Sequence, residues 1–358
     1  MAGPRIEVDL DKVGHNAQSL VSRLAARGIA VTGVTKAVLG WPELARTLLA
    51  AGVQGLGDSR LGNVERLRAA GVDARITLLR SPSAGDAARV VTGADVSSNS
   101  EPTVMRALSA AAERAGVRHG ILLMVELGDL REGVLPADVE PAARLVRDLP
   151  GLVLHGVGAN LACQSGIGPD AANMGQLGHL AAVAEALSGE RLAVVSGGGS
   201  SNLAWALSGA DVGRIDDLRL GEGILLGREP LHRDPIEWLH TDAFTLVGEV
   251  IEAKVKPSRP WGTAGETAFG PAPRPADRGD RLRVLVALGH QDTDPGGLVP
   301  PAGMTVLGAS SDHLVLDPGD HRLEVGSEVR FGLGYGALVR AMTSPFVTRV
   351  ETAVARSA

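Results

Sequence analysis

Apolar residues along this chain gather in short runs, and amphipathic stretches separate them. The first run is 29–36 (IAVTGVTK), followed by a helical pattern over 42–51 that Gly52 closes. The second is 53–57 (VQGLG), with a helix at about 60–70 closed by Gly71. The third is 75–79 (RITLL), and a weaker fourth, 94–98 (ADVSS), precedes a helix over 102–115. The fifth is 121–126 (ILLMVE), the sixth 152–160 (LVLHGVGAN), the seventh 192–196 (LAVVS) and the eighth 217–221 (DLRLG). Strands that alternate with helices predict a parallel sheet. Eight such units in about 230 residues predict a (β/α)8 barrel, an α/β fold, with an open doubly wound sheet as the competing arrangement.

The pattern changes near residue 235. Strand-like runs at 244–252, 282–288, 304–308, 313–316, 328–333 and 348–354 follow one another across Gly- and Pro-rich turns, and no helix is expected among them. The reading is therefore a barrel domain over 1–235 and a smaller, mostly antiparallel β domain over 236–358. A length of 358 residues agrees with more than one domain, since single cores stop growing near ~250–300 residues. No internal repeat beyond the barrel units and no low-complexity tail is found.

Composition narrows the function classes. With 44% hydrophobic and 21% charged residues the chain has an ordinary globular balance. A net charge of −6 offers no basic field, which argues against a nucleic-acid partner. No run approaches ~18 apolar residues, so no membrane span is expected. The start, MAGPRIEVDLDKV, lacks a secretory pattern, and the cytoplasm is the expected location. Cys163 is the single cysteine, which excludes an intrachain disulfide and a multi-cysteine zinc site. Lysine is scarce: Lys12, Lys36, Lys254 and Lys256 stand among 35 basic residues, and Tyr335 is the one tyrosine.

Barrels place chemistry at the C-terminal ends of their strands. Lys36 closes the first run; there it is either a desolvated amine able to attack an aldehyde or a lysine that snorkels to solvent. After the seventh run come Gly197, Gly198, Gly199, Ser200, Ser201 and Asn202, in a position suited to cradling a phosphate, the alternative being a flexible surface turn. Arg219 and Gly221 close the eighth run, where an arginine can face a ring nitrogen or brace the barrel with a salt bridge. Arg131 follows the fifth run and is read either as a ligand for a carboxylate or phenolic oxygen or as the partner of Asp129 or Glu132 on a solvated loop. Asn160 and Cys163 follow the sixth. His290, Asp292, Asp294 and Asp312-His313 form polar groups in the β domain, without the spacing of a metal site.

The opening PRIEVDLDKVGHNAQSL with GVTKAVLG resembles the alanine racemase-type, fold-type III pyridoxal-phosphate enzymes. GDSRLGNVERL, GVGANLACQSG, SGGGSSNL, LRLGEGILLG and GYGALVRAMTSPFV are similar to the ornithine racemase branch. The resemblance spans nearly the whole chain. It implies a racemase that moves the Cα proton of ornithine or a related basic amino acid, with pyridoxal 5′-phosphate as cofactor, working as a homodimer with shared active sites. It implies Lys36 as the Schiff-base lysine, Ser200, Ser201 and Gly221 around the phosphate, and Arg219 at the pyridine nitrogen. Arg131 falls to the phenolic oxygen and substrate carboxylate, Asn160 to the ring face where many relatives have histidine, and Tyr335 to a segment approaching the cofactor.

The chain also departs from the family. Phe269 stands where relatives carry the tyrosine that acts as second base, and Met124 stands where some carry a modified lysine. Cys163, Tyr335 and His290 are the remaining candidates for the second acid/base, with Cys163 preferred. Its alternative role is a small buried apolar residue. Asp292 or Asp312 is expected to hold the substrate's side-chain ammonium. Competing readings are a decarboxylase of basic amino acids, a non-catalytic pyridoxal-phosphate-binding barrel, against which the extra β domain argues, and a sugar-phosphate barrel enzyme.

Overall fold

The structure is a computed structural model that describes residues 3–263, 265–271 and 276–352. It divides into two compact units, one of Asp11–Thr241 and one of Met1–Leu10 with Asp242–Ala358.

In the first unit eight parallel strands close into a barrel. Numbering strands through the whole chain, with β1 at Arg5–Val8, these are β2 (Ala30–Val34), β3 (Gly55–Asp58), β4 (Ile76–Leu78), β5 (Val96–Asn99), β6 (His119–Val125), β7 (Leu152–Ala159), β8 (Val194–Ser196) and β9 (Asp217–Leu220). The expected eight-unit barrel is present, and the open doubly wound sheet is not. Strands buried on both faces read as continuous apolar runs, and β6 (HGILLMV) is buried at every position. The intervening helices show matched start and stop signals. Pro102 opens Pro102–Ala115 and Gly116 closes it in the left-handed conformation at φ 67°. The run 29–36 ends earlier as a strand than as an apolar run. After β2, Lys36 begins a 3₁₀ turn, Lys36–Val38.

Closure is uneven. β2 and β9 share four residue pairs, Ala30 through Gly33 against Asp217 through Leu220. β8 meets β9 at one pair, Ser196 and Asp217, reinforced by a Ser196 Oγ–H bond to Asp217. Beyond β8 the backbone stays tied to β9, Gly197 N–H donating to the Asp217 carbonyl at 3.0 Å and Arg219 N–H to the Gly198 carbonyl at 2.8 Å, before the glycine loop turns away.

In the second unit the expected sheet is present. Its strands are β10 (Phe244–Pro257), β11 (Asp280–Val286), β12 (Leu298–Val299), β13 (Thr305–Ala309), β14 (Leu314–Asp317), β15 (Glu328–Leu333) and β16 (Thr348–Glu351). They run in the order β12-β15-β10-β11-β14-β13, with β1 paired to β10 and β16. Two expectations are corrected. Residues 1–10, read as part of the barrel domain, cluster with the β unit because β1 pairs antiparallel with β10 and parallel with β16. A helix, Tyr335–Thr343, also stands where none was expected; it buries Ala337, Leu338, Ala341 and Met342 on one face at helical spacing.

One buried titratable group makes the barrel sensitive to acid. His119 is 1% exposed, and its Nε2 lies 2.7 Å from Ser97 Oγ. Burial pushes its pKa from 6.5 down to about 4, only partly opposed by Asp95. Below pH 6.5 the unfolded chain therefore binds a proton that the folded chain refuses. Stability falls as pH drops from 6.5 towards 4, by at most about 3 kcal/mol from this residue. Denaturant melts at pH 7 and pH 4.5 check this: the difference should shrink in His119→Gln. An equal difference in both proteins would rule His119 out.

Candidate active site

The parallel strands bring their C-terminal ends to one mouth, and the polar residues that follow them meet there. Lys36 is half-buried in the turn after β2. Burial pushes its ammonium pKa below the usual lysine value. The Asp58 carboxylate opposes the shift, and the guanidinium groups of Arg131 and Arg219 add to it. A lysine so placed keeps a larger share of neutral, nucleophilic amine near neutral pH.

Beneath it Asp58, at the end of β3, is fully buried. It accepts hydrogen bonds from Thr35 Oγ1 at 2.8 Å, Asn63 Nδ2 at 3.0 Å and the Arg60 amide at 2.9 Å. Burial pushes its carboxyl pKa up against those bonds. Thr35 precedes Lys36, so Asp58 ties the lysine's turn to β3. Sequence reasoning missed Asp58, although the signal was the same as for Lys36: a charged residue closing an apolar strand.

Arg219 lies in β9 and is 6% exposed. Its guanidinium donates to Ser196 Oγ, to the Ala159 carbonyl at 2.6 Å and to Asn160 Oδ1 at 2.7 Å. Burial pushes its pKa down, opposed first by Asp217. Asp217 in turn accepts from Ser196 and from Thr32 Oγ1 at 2.7 Å. The arginine is thus a buried, fixed cation, matched by a buried carboxylate.

The loop after β6 carries Arg131 and is folded back onto the strand. Val134 N–H donates to the Met124 carbonyl at 2.8 Å, and Glu126 N–H to the Val134 carbonyl at 2.9 Å. Gly133 makes the close approach: at φ +145° a Cβ there would stand 2.4 Å from Glu126 N. Arg131 pairs with Glu132 through two donors, one of them Nη2 to Oε1 at 2.5 Å. Asn160 Nδ2 donates to the same Glu132 oxygen at 2.5 Å. The polar chain therefore runs Arg131, Glu132, Asn160, Arg219, Ser196, Asp217. Of the two alternative partners read for Arg131, Glu132 is the one that pairs with it. Asp129 is fully buried and instead accepts the amides of Gln164 and Ser165, both at 2.9 Å. Those bonds hold the loop after β7 in place, and with it the exposed Cys163. Leu130 at φ 55° and Ala162 at φ 65° sit in left-handed backbone beside Arg131 and Cys163, a strain of about 1–2 kcal/mol each.

On the other side of the mouth, Ser200 and Ser201 are each 6% exposed in a 3₁₀ turn, Ser200–Asn202. Ser200 Oγ accepts from the amides of Gly223 at 3.0 Å and Gly221 at 3.3 Å, which leaves its own O–H to donate. Ser201 Oγ reaches the Leu161 carbonyl at 3.4 Å. Side chains are excluded around them. A Cβ on Gly198, at φ +141°, would lie 2.4 Å from Asn202 Oδ1, and one on Gly223 would lie 2.7 Å from Leu203 Cδ1. Bare backbone and buried hydroxyls make a cradle of the kind that receives a phosphate.

The remaining sequence candidates lie in the second unit. Asp292 Oδ2 accepts the Gly289 amide at 2.8 Å, and Asp312 Oδ1 contacts His313 Nδ1 at 2.8 Å, so each carboxylate is engaged within its own loop. Phe269 is 51% exposed and stacks on His290 at 3.9 Å. Tyr335 is half-buried at the start of its helix. Met124, by contrast, lies in β6 of the first unit, where it is fully buried and packs with Val96 and Leu122. Among the described residues no group of His, Cys, Asp and Glu could hold a metal ion, and no helix is long and apolar enough to cross a membrane.

Comparison with known proteins adds the following. Residues 8–228 match the family model described as alanine racemase, N-terminal domain. The chain is 38% identical to the lysine racemase of Thermotoga maritima over 353 residues, covering 98% of this chain and 99% of that one. It is 34% identical to the ornithine racemase of Acetoanaerobium sticklandii over 350 residues, covering 97% and 99%. The crystal structure of alanine racemase from a D-cycloserine-producing Streptomyces lavendulae superposes with a TM-score of 0.77 at 22% identity, over 99% of this chain and 98% of that one.

Proposed function

The chain belongs to the alanine racemase family and is an amino-acid racemase, and from that premise we propose that it interconverts the L and D forms of lysine or ornithine with pyridoxal 5′-phosphate as cofactor. The observation that carries the reading is the partly buried, pKa-lowered amine of Lys36, grouped electrostatically with Arg219 and Arg131 at the mouth of a barrel that also bears the Gly–Ser cradle. The near full-length likeness to a lysine and an ornithine racemase supports the substrate class. We also take the enzyme to work as a homodimer in the cytoplasm.

The residues fit the cofactor by their chemistry. A weakly basic lysine amine suits an aldehyde, buried hydroxyls beside side-chain-free backbone suit a phosphate, and a buried guanidinium suits a ring nitrogen. Lys36 would hold the aldehyde carbon, Ser200 and Ser201 with the backbone at Gly221 the phosphate, and Arg219 the ring nitrogen. When bound, the cofactor supplies an electron-accepting ring that makes the substrate's Cα–H acidic.

The chain's own groups then divide the work. Arg219, anchored by Ala159, Asn160 and Ser196, keeps its protons and leaves the ring nitrogen as an acceptor. That limits how far charge spreads into the ring and favours prompt return of a proton to Cα. Lys36 Nζ moves the proton on one face, and Cys163 Sγ moves it on the other. Removal from one face and delivery to the opposite face inverts the centre. Arg131 receives the substrate carboxylate, as its grip on the Glu132 carboxylate illustrates.

Incubating the holoenzyme with L-lysine, L-ornithine or L-alanine in deuterium oxide checks the proposal. Deuterium should enter Cα of lysine or ornithine with formation of the D form, and alanine should lag well behind. Release of carbon dioxide without inversion would replace racemisation by decarboxylation, and no exchange with any amino acid would refute both.

A further inference from the structure

Arg131 already holds a carboxylate in this structure. The guanidinium takes the Glu132 carboxylate through two donors, in the arrangement an amino-acid carboxylate would adopt. Asn160 Nδ2 makes a third bond to Glu132. The pair is neither fully buried nor free in water, with side chains 35% and 24% exposed. A substrate carboxylate arriving at Arg131 must therefore compete with Glu132, and a displaced Glu132 is left at a half-dry mouth beside Asn160.

The cost of that displacement depends on what the incoming molecule carries. A neutral amino acid brings a carboxylate for Arg131 and nothing for Glu132, leaving a partly buried carboxylate without its cation. A basic amino acid brings a second charge. Its side-chain ammonium can pair with Glu132 as its carboxylate pairs with Arg131, so one internal ion pair is exchanged for two intermolecular ones. Rejection of a ligand by leaving a charged group unpaired is an efficient form of selectivity.

We propose that Glu132 is the specificity-determining residue of this racemase: it occupies Arg131 in the free protein and, once displaced by the substrate carboxylate, binds the side-chain ammonium of a basic amino acid. This rests on the racemase reading for its substrate class but not for its test. Asp292 and Asp312, the carboxylates expected from sequence to do this, are held by their own loops.

The test uses ligands that cannot form an imine with the cofactor. Pentanoate and 5-(dimethylamino)pentanoate share a chain length and a carboxylate, lack any primary amine, and differ by the terminal ammonium. Calorimetric titration of the holoenzyme should show 5-(dimethylamino)pentanoate binding at least about tenfold more tightly than pentanoate. Glu132→Gln should abolish that preference by binding pentanoate more tightly than the wild type does, because Arg131 is no longer occupied, and by losing affinity for 5-(dimethylamino)pentanoate. Glu132→Asp, which keeps the charge, should retain part of the preference. A Glu132→Gln protein that keeps its melting temperature and still prefers the aminated ligand to the wild-type degree would overturn the proposal. So would a wild type that does not distinguish the two. Neither result touches the racemase reading, which stands or falls on the deuterium experiment.

Discussion

Replacing Lys36 by alanine is expected to reduce racemisation by roughly four orders of magnitude or more, because one residue carries both the covalent attachment and one of the two proton transfers. The structure explains why lysine in particular is needed. Its amine sits on a turn fixed through Thr35 to the buried Asp58, and burial lowers its pKa with help from Arg131 and Arg219. Lys36→Arg should fail almost as completely as Lys36→Ala. A guanidinium keeps the positive charge but neither adds to an aldehyde nor releases a proton near neutral pH. Borohydride treatment supplies a readout independent of turnover: the cofactor should be fixed on residue 36 of the wild type and on neither variant. Substantial racemisation by Lys36→Ala, or cofactor fixed on another lysine, would remove the basis of the functional assignment. Lys12, Lys254 and Lys256 are the remaining lysines, so peptide mapping gives a clear answer.

Why Lys36 was visible in the sequence, and Glu132 was not, is a matter of range. Parallel strands buried on both faces write themselves as apolar runs. A polar residue closing such a run is conspicuous, which is how Lys36, Asn160, Ser196 and Arg219 stand out. Asp58 ends β3 in the same manner, but its role rests on Thr35, Asn63 and the Arg60 amide converging on it, which the run itself does not encode. Glu132 was legible only as a neighbour of Arg131. Its bond to Asn160 joins residues 28 positions apart, and no local pattern encodes that. The role of Asp129 was hidden similarly, since its partners are backbone amides of the next loop. At the level of the fold, β1 offers four alternating residues whose partners on β10 and β16 lie more than 200 positions away. The helix Tyr335–Thr343 opens with Tyr-Gly after a strand ending in Gly-Leu and the cap residue Gly334, a composition that reads as a turn. Its helical state is supported by burial of Ala337, Leu338, Ala341 and Met342.

Cys163→Ala is expected to lower racemisation by roughly 10²–10⁴-fold, the usual contribution of a positioned general acid or base. The fall must be equal in the two directions, because the enantiomers have the same free energy and an enzyme cannot alter their ratio. What should become unequal is exchange. With Lys36 intact, the enantiomer presenting its Cα–H to Nζ can still lose that proton and regain a deuteron on the same face, so it should incorporate deuterium without inverting. The other enantiomer should do neither. This asymmetry separates a missing second base from a damaged site, which would suppress exchange in both. The position of the thiol supports the role. Cys163 lies within electrostatic range of Lys36, Arg131 and Arg219, and Asp129 anchors its loop through the amides of Gln164 and Ser165. Because Cys163 is exposed, iodoacetamide should reach it in the free enzyme, and bound lysine should slow the alkylation. If Cys163→Ala instead racemises at the wild-type rate, the second proton moves through Tyr335 or His290. Phe269, which offers no proton, would still be excluded.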